Sequence, residues 1–237
     1  MAKGQKTFLQ LTNGVLRRLG KSQTTSSAFA GETGDTWPGL VKDALNEAQA
    51  EIAKEHDWST LYTSGTFTTS SRTYNLATSF SDFGREIDLA DTTNRRVLEP
   101  HSLRELDEED PDQAQAGAPT RYAINYPDLL FNRTPASVAY RLRYLKRATD
   151  LSAYGDVSTL PEYCDIPLIL WVVAEYSSSR EDNQDRGQRA QDKYDKSLAR
   201  AIGQDRRRVD RIYRLQPVWS GWGGREPVNL GSHYPAV

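Results

Sequence analysis

Apolar residues in the first sixty positions return at helical intervals. Phe8, Leu11, Val15, Leu16 and Leu19 form one stripe, with Gly20 placed to end it. Val41, Ala44, Leu45, Ala48, Ile52 and Ala53 form a second, opened by Asp35 or Thr36 as N-cap with Trp37 and Pro38 in the first turn. The spacing predicts helices over 5–20 and 36–57 that cover one another, separated by a Ser-, Thr- and Gly-rich loop from Lys21 to Gly34. The second is expected to end near His56-Asp57, with Trp58 and Leu61 packing below it.

The period then changes. Thr66–Thr69 and Arg72–Leu76 read as short strands around a Ser-rich turn, and Glu86–Leu89 and Arg95–Leu98 as weaker ones. Pro100–Glu109 suggests a short acidic helix. Arg121–Asn125 and Leu129–Phe131 flank a Pro127-Asp128 turn. Val138–Leu145 gives the clearest strand signal, with Val138, Tyr140, Leu142 and Tyr144 alternating against Ala139, Arg141, Arg143 and Leu145. These segments define a β-rich insertion over 62–148.

Helical spacing resumes after it. From Leu160-Pro161 the chain is apolar on nearly every face (Ile166, Leu168, Ile169, Leu170, Trp171, Val172, Val173), which predicts a buried helix over 161–180. Pro167 must either set its start or kink it. A further amphipathic helix is expected over 185–203 through Ala190, Tyr194, Leu198 and Ala201, ended by Gly203. The predicted fold class is therefore α+β: a helical bundle from both ends of the chain (1–203), an inserted β-rich region, and an extended C-terminal arm, 204–237. The arm shows no sustained period. It carries Arg206, Arg207, Arg208, Arg211 and Arg214, then Trp219 and Trp222 in a Gly- and Pro-rich setting. Exposed Trp and Arg are enriched where proteins dock, so these seven residues are the candidate partner-binding set, ordered by the partner; the alternative is a strap folded back on its own domain.

Composition narrows the classes. Hydrophobic residues are 37% and charged residues 26% of 237, with formal net charge −2. Mean hydropathy is −0.70 and pI about 6.0. A chain this polar implies extended surface, a subunit interface or a disordered tail, and no global basic excess points to nucleic acid. No apolar run reaches the roughly 20 residues of a spanning helix, so no membrane partner is expected. Met1–Gln10 lacks the apolar core and cleavage site of a signal peptide, so the chain is expected to stay in the compartment where it is made. Cys164, between Glu162 and Asp165, is expected to be a buried or inert thiol.

Catalytic signals are weak. His56, His101 and His233 are scattered, so no metal or cofactor is expected, and Gly221-Trp222-Gly223-Gly224 lacks the lysine and helix of a phosphate loop. The run Glu105, Asp107, Glu108, Glu109, Asp110, Asp112 reads as a solvated loop rather than catalytic carboxylates. Asp205 and Asp210, interspersed among the arginines, fit salt-bridging to a partner better than contact with DNA phosphates.

Three stretches resemble the head-to-tail adaptor (tail accessory) proteins of tailed bacteriophages, especially short-tailed ones. The first is the opening helix Leu9–Gly20. The second runs from Ala44-Leu45-Asn46-Glu47-Ala48-Gln49 through Asp57-Trp58-Ser59-Thr60-Leu61 to Gly65–Thr69 and Tyr74-Asn75-Leu76. The third includes Pro119–Ile124, Tyr140–Tyr144, Asp150-Leu151, Leu160-Pro161 and the closing helices. The resemblance implies a structural virion protein at the head–tail junction, assembled in the host cytoplasm, and not an enzyme. It implies a homo-oligomeric ring, a dodecamer, between the portal and a tail or nozzle protein. DNA would pass through its lumen without sequence-specific binding, and the C-terminal arm would grip the portal. Two alternatives stay open: a virion-associated cell-wall hydrolase, which would need carboxylates such as Glu105 and Asp112 to converge in a cleft, and another tail component such as a tail-tube or tail-completion protein.

Overall fold

The computed structural model describes residues 4–32, 36–112, 114–179 and 184–214, with backbone alone over 208–214. Helix α1 (Phe8–Leu19) opens on a reciprocal capping box between Thr7 and Gln10 and closes on Gly20 in the left-handed conformation, φ 73°. Helix α2 (Trp37–Glu55) is capped by Thr36, whose hydroxyl accepts from the Gly39 amide. All five residues of the first apolar stripe are buried, as are Val41, Ala44, Leu45, Ala48 and Ile52 of the second. Below α2, Trp58 is fully buried and its indole N–H donates to the Ile52 carbonyl at 2.7 Å.

The insertion contains β1 (Tyr62–Thr69), β2 (Thr73–Asn75), α3 (Leu76–Ser79), β3 (Phe83–Asp91), β4 (Arg96–Val97), β5 (Glu99–Pro100), α4 (Leu103–Glu109), β6 (Arg121–Asn125), β7 (Asp128–Phe131) and β8 (Val138–Lys146). These strands make two four-stranded sheets, ordered β1-β8-β3-β4 and β2-β7-β6-β5. Strand β8 lies inside the first, paired antiparallel with β1 from Tyr62↔Leu145 to Thr69↔Val138 and with β3 on its other side. Its alternating set, Val138, Tyr140, Leu142 and Tyr144, faces the sheet core together with Phe67, Phe80, Leu89 and Phe131. Leu145, one residue on, points the opposite way and joins the helical core, so β8 is where the two cores meet.

The two strands expected around the Ser-rich turn are present, paired with β8 and β7 rather than with each other. The chain crosses there from one sheet to the other, held by the Ser71 amide donating to Thr69 Oγ1 at 3.0 Å and by buried Arg72, which pairs with Asp110 at 2.5 Å. One expectation here is corrected: Leu76 opens a short helix rather than ending a strand, because its amide makes the last ladder bond, to the Pro127 carbonyl at 2.8 Å, while its carbonyl turns to accept the Phe80 amide at 2.7 Å.

After β8, a 3-10 turn (Glu162–Cys164) leads into α5 (Asp165–Ser179), and α6 (Gln184–Arg214) follows. The helix expected from 161 thus begins at Asp165. Pro167 sits in its first turn, where an amide has no intrahelical acceptor to lose. Helix α5 packs on α1, α2 and α6, and helices from both ends of the chain share one buried cluster. Among the described residues, no helix is long and apolar enough to cross a membrane.

The largest correction concerns Gly203. It was expected to end the last helix, yet α6 runs through it for 31 residues to Arg214. Gly203 is not among the described positive-φ glycines. A glycine inside a helix costs only about 1 kcal/mol relative to alanine, which neighbouring contacts can outweigh. The first eleven residues assigned to the extended arm are therefore helical.

Candidate docking surface

What carries α6 past Gly203 is Asp205. Its side chain is completely buried, although the sequence reading gave it to an exposed arm. One carboxylate oxygen accepts the Ser59 amide at 3.0 Å, and the other accepts the Ser59 hydroxyl at 2.6 Å and the Tyr163 hydroxyl. His56 Nε2 lies 3.3 Å away. Burial by itself would raise this carboxyl's pKa. The bonds from Ser59 and Tyr163, with His56 nearby, outweigh burial and hold it below the ordinary value. Tyr163 shifts the opposite way, raised first by burial and then by Asp205. Asp205 thus joins three segments: α6, the connection from α2 to β1, and the turn before α5.

A signal for this was present in the sequence. Ala190, Tyr194 and Ala201, all buried, precede Asp205 by steps of four, seven and four, so Asp205 falls on the same face of a continuous helix. Counting only apolar residues hid it, because the next member of the stripe is charged.

The candidate arginines divide accordingly. Arg206 and Arg207 are exposed on α6, and Arg207 Nε donates to the Gly203 carbonyl at 2.9 Å. Arg208, Arg211 and Arg214 belong to the helical backbone, but their side chains lie outside the description. Trp219 and Trp222 lie outside the described residues altogether.

Other candidates have structural duties. Glu105 caps α4: its carboxylate accepts the Ser102 amide at 2.9 Å, and the bonds from Ser102 lower its pKa, away from what a general acid needs. Asp110 is buried against Arg72, while Asp112 is exposed. Cys164 is buried, and burial followed by the charges of Asp205 and Asp165 raises its pKa. Among the described residues, no three His, Cys, Asp or Glu side chains cluster as metal ligands.

Comparison with known proteins gives the class. The family pattern described as SU10 adaptor protein matches residues 6–218, most of the chain, including both cores and all of α6. The chain belongs to the SU10 adaptor protein family, and with it to the structural adaptors of bacteriophage virions. A search of curated proteins found no match.

Proposed function

We propose that this chain is a ring subunit at the head–tail junction of a short-tailed phage. It would join the portal to the tail and let DNA pass through the ring's channel. The observation that carries this reading is the family match, which extends through α6 to residue 218 and so spans all five candidate arginines. Asp205 supports it physically. By pinning α6 to the domain, it gives the residues beyond a set point of departure toward a partner.

In this reading the portal is held by Trp219 and Trp222, with Arg206, Arg207, Arg208, Arg211 and Arg214 steering the approach. Desolvating one such indole contributes on the order of 2 to 4 kcal/mol, whereas screened surface arginines contribute mainly to rate and orientation. The test is attachment to portal-bearing, DNA-filled heads, with circular dichroism to confirm folding. Trp219→Ala with Trp222→Ala is expected to abolish stable attachment, while Arg206, Arg207 and Arg208→Ala slows it. Wild-type attachment by the double Trp variant would show that the ring grips through its folded domain instead.

A further inference from the structure

Along α6, Arg186, Arg189, Lys193, Lys196 and Arg200 recur at steps of three, four, three and four. At 1.5 Å rise per residue this spacing puts a cation about every 5 Å along one helix face. With Arg18 of α1 they line a groove of about 620 Å³ whose described lining residues include no carboxylate. Arg186 reaches across it to donate to the Arg18 carbonyl. Its apolar wall includes Ile166 of α5, which is 51% exposed. A phosphate backbone would neutralise the cations and leave Ile166 in water. An acidic helix with some apolar surface satisfies both features.

The chain itself carries an acidic helix, α4, with partly exposed Leu103 as its apolar edge and Leu106 buried beneath it. Glu105, Asp107, Glu108 and Glu109 are exposed on α4, and Asp112 follows. Helix α4 packs on β6, at the sheet end of the molecule, whereas the groove is formed among the helices. We propose that α4 of one copy docks in the α5–α6 groove of the next. Such a contact is heterologous: each subunit offers one surface and uses the other, which generates a ring when the rotation closes. The proposal rests on the ring-subunit reading above and names the subunit contact within it.

Charge reversal tests it in the full-length chain, with circular dichroism as the folding control and copies retained per portal-bearing head as the readout. Lys193→Glu with Lys196→Glu, or Asp107→Lys with Glu108→Lys, is expected to lower retention roughly ten-fold by setting like charges against each other. All four changes in one chain should restore it. Normal retention by either reversal, or no recovery in the fourfold variant, overturns the contact. So does loss of binding to a short DNA duplex in the Lys193/Lys196 variant with retention intact, which would make the groove a nucleic-acid surface. Wild-type copy number separates the two readings. A single copy per head defeats the ring itself, whereas a ring indifferent to reversal defeats only this contact.

Discussion

Replacing Asp205 with alanine should loosen the molecule where α6 meets the rest of the fold. The substitution removes the acceptor for the Ser59 amide, the Ser59 hydroxyl and the Tyr163 hydroxyl, all provided by one fully buried carboxylate. A stranded donor costs about 1 to 3 kcal/mol. Ser59 and Tyr163 are only partly buried, so water can recover some of their bonding, and the low end applies. Three donors at about 1 kcal/mol each give roughly 3 kcal/mol, or a fall in melting temperature of about 6 to 12 °C for a chain of this size. Asp205→Asn keeps one acceptor oxygen and is expected to lose about half as much. The pH dependence follows from the depressed pKa. The carboxylate's contribution is complete above the ordinary aspartate value and is lost as pH falls through the lower folded value, so the gap between wild type and Asn should close in acid. Urea unfolding followed by circular dichroism gives the magnitude, and amide exchange along 204–214 gives the location. A loss under 1 kcal/mol with unchanged exchange there would refute the anchor, leaving the helical continuation to another cause.

Two further outcomes follow from the same structure. Gly203→Ala is expected to stabilise the chain by about 0.5 to 1 kcal/mol in thermal melts, since the helix passes through it and, among the described residues, an added Cβ would meet only the end of Arg207, 4.0 Å away; destabilisation would place a helix end there after all. Asp165→Asn is expected to stabilise at pH 7, because burial raises the Asp165 pKa and one of its oxygens accepts no hydrogen bond among the described residues. A raised folded pKa makes the native state most favoured below the unfolded value, with that advantage lost as pH rises through the folded one, so the benefit of Asn should shrink toward acid in paired urea titrations.

The sequence by itself determined the elements whose physics is local. Gly20 and Thr36, the latter one of two N-cap candidates, mark helix ends because capping is decided within four residues. The face of β8 that enters the sheet core was legible from alternation, since a strand's two sides differ by a single residue step. What local pattern could not give was pairing. Thr69 and Thr73 look like the two sides of one turn, yet their strands belong to different sheets, because partners come from β8 and β7, more than fifty residues away. The same holds for the docking surface. The arginines were plain in the sequence, but Gly203 and Asp205 were read as a break followed by an exposed charge. Only the tertiary structure brings Ser59 and Tyr163, 146 and 42 residues distant, to the carboxylate that carries the helix onward. A charged residue on a buried face is affordable only when distant donors converge on it, and convergence is a property of the fold rather than of the sequence around it.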